Sequence, residues 1–154
     1  MKSNLKIRNV CCIGAGYVGG PTMAVFADKC PNIKFVVVDK NKDRINGWNS
    51  ENAKSLPVFE PGLEKIIRKT RGENLFFTSD LQQSISNADM VFISVNTPTK
   101  EKGLGAGQAS DIKWVEVSAR EIAKNAKGFT IVVEKSTLPV RTAETIKDIL
   151  SAAE

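Results

Sequence analysis

Three glycines and one aspartate hold the spacing on which a chemical reading can be built. Gly14, Gly16 and Gly19 form a Gly-x-Gly-x-x-Gly turn directly behind the apolar run Val10-Cys-Cys-Ile13, and Thr22–Asp28 beyond it has helical character. Asp39 ends the next apolar run, Phe35-Val-Val-Val38, about twenty residues past Gly19. Strand, glycine turn, helix, strand and acid in this order are the layout of a dinucleotide-binding unit. Gly14 permits the tight turn, Gly16 lets backbone approach a pyrophosphate, and Gly19 lets the helix pack close to the sheet. The free N–H groups of the helix's first turn face the phosphates. Asp39 is expected to accept hydrogen bonds from the adenosine ribose and to repel a 2′-phosphate, which favours NAD over NADP. Arg44, five residues on, lies against the adenosine end or is a surface arginine; the sequence leaves both open.

Other chemistries lack their residues. The chain has 154 residues, no histidine and three cysteines. Histidine-based acid–base catalysis is therefore excluded, and Cys11, Cys12 and Cys30 have no zinc-ligand spacing, so no metal is expected. Cys11 and Cys12 are neighbours on a strand and point to opposite faces, which with the odd count argues against a disulfide framework and for a reducing compartment. The segment 100–110 carries Gly103, Gly105 and Gly107 but lacks the Gly-Lys-Ser/Thr ending of a P-loop. The net charge is +5, yet the densest basic cluster, Lys65, Arg68, Lys69 and Arg71, is neither extended nor interleaved with aromatics. It reads as a solvated helix face, with no nucleic-acid partner. Residues 10–27 superficially resemble a secretory signal, but their glycines and Pro21 interrupt the apolar run, and no stretch is long and apolar enough for a membrane helix. A soluble, cytoplasmic protein with no membrane partner is expected.

The elements that must position these residues alternate strand and helix. Apolar runs predict five strands near residues 7–13, 33–38, 75–77, 90–95 and 129–134, giving an α/β fold with a doubly wound parallel sheet of Rossmann type in the order 3-2-1-4-5. The sixth strand of a complete dinucleotide fold would begin where the chain stops, so the expectation is one NAD-binding Rossmann domain over 1–154 with the sixth strand truncated. Asn41–Trp48 reads as a short helix or turn and 49–60 as a loop. Leu63, Ile66 and Ile67 form a helix face, and Ser79-Asp80-Leu81-Gln82 has capping-box form, starting a helix at Asp80 that ends near Asn87. Ser110 or Asp111 caps a helix whose core face is Ile112, Val115, Ala119, Ile122 and Ala126. The last helix, from about Pro139, carries Val140, Ala143, Ile146, Ile149 and Leu150 on one face. Ligands of such sheets sit outside the carboxyl ends of the strands, so the turn Asn96-Thr97-Pro98-Thr99 behind Met90–Val95 is placed to meet the cofactor's central ribose and phosphates.

Five segments in order carry more than a fold. Cys11–Thr22, Val38-Asp39, Phe59-Glu-Pro-Gly-Leu63, Phe92–Thr99 and Glu134–Ala143 closely resemble the amino-terminal domain of the animal UDP-glucose 6-dehydrogenase family, over essentially the whole chain. The resemblance implies NAD-dependent, two-step oxidation of UDP-glucose to UDP-glucuronate through a thiohemiacetal on an essential cysteine, with NAD and UDP-glucose as partners. It also implies a homo-oligomer of the hexamer-of-dimers type. The family's cofactor contacts fall on Gly14, Ala15, Gly16, Tyr17, Val18, Gly19, Asp39, Arg44, Val95, Asn96, Thr97, Pro98, Thr99 and Ser136. Thr137 matches a threonine near the reacting centre, in a segment to about Arg141 linked to allosteric switching. It orients a water or the nicotinamide end, or simply enters the helix. The catalytic cysteine and the UDP-binding domain belong to later segments, so no catalytic residue is carried over, and the chain by itself is expected to be inactive. A different class of role, an interaction module that associates with full-length subunits, is the competing expectation.

Overall fold

The computed structural model describes residues 6–102 and 110–152; the glycines at 103, 105 and 107 lie outside them. Five strands, β1 (Asn9–Ile13), β2 (Lys34–Val38), β3 (Leu75–Thr78), β4 (Met90–Ile93) and β5 (Ile131–Glu134), form one parallel sheet in the order β3-β2-β1-β4-β5. The expected strand order is the one found. Central strands of a parallel sheet are covered on both faces and so read as continuous apolar runs. Alternation along them divides the core: Val10, Cys12, Phe35, Val37, Leu75 and Phe77 face one layer, and Cys11, Ile13, Val38, Val91 and Ile93 face the other.

The first layer consists of α1 (Gly19–Lys29), α2 (Lys42–Asn49) and α3 (Leu63–Thr70), contributing Met23, Trp48, Leu63 and Ile67. The opposite layer consists of α4 (Leu81–Ser86), α5 (Lys113–Asn125) and α6 (Thr142–Ser151), contributing Ile85, Val115, Ala119, Ile122 and Ile146. A 3-10 turn, Ala53–Ser55, interrupts the loop expected over 49–60, which also buries Val58. Among the described residues no helix is long and apolar enough to cross a membrane, and no cluster of potential metal ligands occurs.

Several boundaries differ from the sequence reading. Asp80 starts α4 as expected, but its own carboxylate accepts the Gln83 N–H at 3.0 Å, so Asp80 rather than Ser79 supplies the capping oxygen. Neither candidate caps α5: its N-cap is Ile112, which makes no side-chain bond, while Asp111 Oδ1 accepts the Lys113 N–H at 2.9 Å in a turn just ahead of the helix and Ser110 bridges to Thr99. The last helix begins at Thr142, not Pro139; Val140 is exposed ahead of it and Ala143 faces solvent. The basic cluster is not uniformly solvated. Arg68 pairs with Glu64 and Lys69 with Asp28, while Arg71 donates to the Trp48 and Ser50 carbonyls and so fastens α2 to the end of α3.

Candidate cofactor site

The glycine turn joins β1 to α1 at the carboxyl edge of the sheet. Gly14 has φ of +109°, a left-handed conformation, and a Cβ there would collide with the Ser94 carbonyl oxygen. A Cβ on Gly19 would strike the Gly14 carbonyl. Gly16 differs: among the described residues a Cβ on it would meet nothing within 4 Å, so their packing does not require glycine there. Its open face is what backbone approach to an external group requires. Among the described residues the N–H groups of Gly16, Tyr17, Val18 and Gly19 have no acceptor, while Gly20 N–H already donates to the Gly16 carbonyl at 3.2 Å. These are the orphan donors of a helix start, at the positive end of the α1 dipole. Four free N–H groups around an open glycine suit a diphosphate.

Asp39 occupies the end of β2, beside this turn. Its Oδ2 accepts the Ala15 N–H and an Arg44 guanidinium N–H, each at 2.9 Å, and its Oδ1 accepts the Asn41 N–H at 2.9 Å. Burial works against the charge, but the Asn41 and Ala15 N–H groups and the Arg44 cation outweigh it and hold the carboxyl below the ordinary carboxylate range. Arg44 is thus tied to Asp39 rather than free on the surface. Asp39 is fixed and ionised, with lone pairs left for further donors.

The other expected residues stand at the ends of β4 and β5. Val95 N–H donates to Ser136 Oγ at 3.1 Å, and Thr97 Oγ1 donates to the Thr137 carbonyl at 2.8 Å, stitching the two exits together. Asn96, Pro98 and Thr99 are exposed at the rim. The Pro98 carbonyl accepts the Asp111 N–H at 2.6 Å. A cleft of about 430 Å³ opens against Pro98, Thr99, Lys100, Glu101, Lys102 and Asp111. Parallel strands lie about 4.8 Å apart, so Asp39 at β2 and Ser136 at β5, three strands away, are separated by about 14 Å across the sheet. All the residues therefore line one edge, from Asp39 and Arg44 through the glycine turn and Asn96–Thr99 to Ser136.

Three contributors were not singled out from the sequence. Trp48 donates its indole N–H to the Ala15 carbonyl at 2.8 Å and packs where a Cβ on Gly20 would go. Ser94 presses its carbonyl on Gly14, and its buried hydroxyl has no partner among the described residues. Glu134 accepts the Ser136 N–H at 2.6 Å. Cys11 and Cys12 supply no reactive thiol: both are fully buried, on opposite faces, Cys12 Sγ donating weakly to the Gly14 carbonyl at 3.8 Å, and burial pushes the Cys11 thiol up to about 12 and the Cys12 thiol higher still, so neither can serve as a thiolate near neutral pH.

Comparison with known proteins bears on this edge. Residues 8–154 match the UDP-glucose/GDP-mannose dehydrogenase family, NAD binding domain. The chain is 58% identical over 142 residues to UDP-glucose 6-dehydrogenase 1 of Arabidopsis thaliana and 53% identical over 148 residues to UDP-glucose 6-dehydrogenase of Mus musculus. These alignments cover 92% and 96% of the chain and 29% of each relative. Among solved structures, a UDP-glucose dehydrogenase from Pyrobaculum islandicum superposes with a TM-score of 0.79 at 25% identity, covering 99% of this chain and 34% of the other.

Proposed function

The chain belongs to the UDP-glucose/GDP-mannose dehydrogenase family, matching its NAD-binding domain, and from that premise we propose that it is the cofactor-holding part of a UDP-glucose 6-dehydrogenase. Its cofactor is NAD. The complete enzyme would oxidise UDP-glucose to UDP-glucuronate with two NAD, as a cytoplasmic homo-oligomer. The chain spans 29% of the length of the curated relatives, and the residues in hand account for binding rather than for chemistry on the sugar. Cys11 and Cys12 are sealed in the core, and Cys30 lies behind α1, at the opposite edge from the glycine turn.

The observation that carries this reading is the set of four N–H groups around the open Gly16 that have no partner among the described residues, flanked by the fixed Asp39 carboxylate. Gly14, Ala15, Gly16, Tyr17, Val18 and Gly19 would hold the diphosphate, and Asp39 would take the adenosine ribose hydroxyls with Arg44 beside it. Val95, Asn96, Thr97, Pro98, Thr99 and Ser136 would line the central and nicotinamide portions, and Thr137 would support that end. Bound NAD supplies the hydride acceptor; the chain's part is to keep the dinucleotide extended along the sheet edge.

NADH titration by fluorescence tests the assignment. The 154-residue chain should bind NADH in preference to NADPH. Asp39→Ala should lose roughly tenfold or more, because hydrogen bonds to a charged group contribute about 1.5–3 kcal/mol and each 1.4 kcal/mol is tenfold in affinity. Absence of binding by the parent chain, or equal binding by the variant, would overturn it.

A further inference from the structure

Glu134 ends β5 on the face covered by α5 and α6, following Val132 at the two-residue period of a strand. Its carboxyl is half-buried. Oε1 accepts the Ser136 N–H at 2.6 Å, and Oε2 is buried without a partner among the described residues. Burial raises its pKa above the ordinary carboxylate value, and the Ser136 N–H and hydroxyl, with the Lys135 N–H, draw it only part of the way back. No charged group on β4, α5 or α6 contributes. A carboxylate kept half out of water with one oxygen unanswered costs stability, and its single good bond is to Ser136.

Ser136 in turn frames the adjoining strand exit. Its hydroxyl accepts from Val95 N–H at 3.1 Å and donates to the Ile93 carbonyl at 3.4 Å, and the next residue, Thr137, receives Thr97 Oγ1 at 2.8 Å. Fixing the Ser136 N–H therefore fixes where the β5 exit meets the β4 exit. We propose that Glu134 is a positioning residue for the end of the dinucleotide site farthest from Asp39, holding Ser136 and Thr137 against Val95–Thr97. The proposal rests on the reading of Ser136 as a cofactor residue. An ionised acceptor makes the shorter, stronger bond, so the turn is held best when Glu134 is charged. Asp39 and Arg44, three strands away, take no part.

The test separates this role from the cofactor assignment. In the ¹⁵N-labelled chain the Ser136 amide resonance should titrate with an apparent pKa above the ordinary glutamate value of about 4.3, and this movement should vanish in Glu134→Gln. Glu134→Ala should weaken NADH by about tenfold, a change of about 1.4 kcal/mol, while AMP, which lacks the nicotinamide half, binds as before. Glu134→Gln, which keeps an acceptor oxygen, should recover part of the NADH affinity and flatten its dependence on pH. A Ser136 amide that does not titrate in the folded chain overturns the proposal, and so does equal weakening of NADH and AMP. If the parent chain binds neither ligand the cofactor reading fails, yet the amide titration still decides what Glu134 holds. Should the alanine variant not fold, the glutamine variant carries the comparison.

Discussion

Trp48 is fully buried, stacks on Phe77 with ring centroids 4.9 Å apart, and donates to the Ala15 carbonyl inside the glycine turn. Its ring fills the space over Gly20, so the fourth glycine of the run serves packing, not the cofactor. Trp48→Phe keeps most of the apolar contact but strands a buried carbonyl, which costs about 1–3 kcal/mol; Trp48→Ala should cost about 3–5 kcal/mol. Urea unfolding checks both, and because Ala15 adjoins Gly16, the phenylalanine variant should also weaken NADH. Loss of stability with unchanged NADH affinity would show that the turn holds its shape without the indole. The sequence does not reveal this contact, since Trp48 and Ala15 are 33 residues apart and no periodicity links them. The one available signal was a glycine beyond the fingerprint followed, in the next unit, by a tryptophan too large for a solvent-facing turn. Gly14, Gly19 and Asp39 were legible because their constraints are local to a strand–turn–helix unit, and Arg44 was left open because pairing depends on rotamer.

At the scale of elements, strands and the long helix were legible because burial on both faces, or on one stripe, writes itself as a pattern. The spacing of Val115, Ala119 and Ile122 in α5 is the case in point. Ends are set by competition between neighbouring signals, and the connection from β5 to α6 shows that competition. Pro139 reads as a first helical residue, but Thr142 Oγ1 donates to the Pro139 carbonyl at 2.9 Å and the chain turns through Arg141 at φ of +75° before the helix begins. Arg141 is the one non-glycine residue with positive φ among those described. Left-handed backbone costs an ordinary residue roughly 1–2 kcal/mol, while glycine forfeits about 0.5–1 kcal/mol in conformational entropy. Arg141→Gly should therefore stabilise the chain by up to about 1 kcal/mol, and Arg141→Val should destabilise it. Urea midpoints decide, and an unstable glycine variant would mean that the arginine side chain contributes more than its backbone strain removes.

For the molecule as a whole, the central strand is pinned at both ends by carboxylates from other elements. At its start Asp89 Oδ2 accepts the Arg8 and Asn9 N–H groups, each at 2.8 Å; at its exit Asp39 accepts the Ala15 N–H. The N–H groups of Arg8 and Asn9 hold Asp89 below the ordinary carboxylate range, and Asp39 is held below it as well, its N–H donors and Arg44 outweighing burial. A depressed carboxylate contributes stability above its unfolded pKa, about 3.9 for aspartate, and loses it as pH falls through the folded value. Glu134 has the opposite sign. Its raised folded pKa means that the native state binds the proton more tightly, so its contribution is favourable below about 4.3 and declines as pH rises through the folded value. Stability measured by urea at a series of pH values should therefore respond to two substitutions in opposite directions. Asp39→Asn should cost about 2 kcal/mol at neutral pH, where a charge-assisted bond is replaced by a neutral one, with the deficit shrinking in strong acid. Glu134→Gln should be more stable than the parent at neutral pH and lose that advantage as the pH approaches 4. A Glu134→Gln chain that gains stability while holding NADH less well would show that the charge at the end of β5 is retained for the site at the expense of the fold. A variant less stable than the parent at neutral pH would mean instead that the bond to Ser136 outweighs the burial of the carboxylate, and that Glu134 is first a structural anchor.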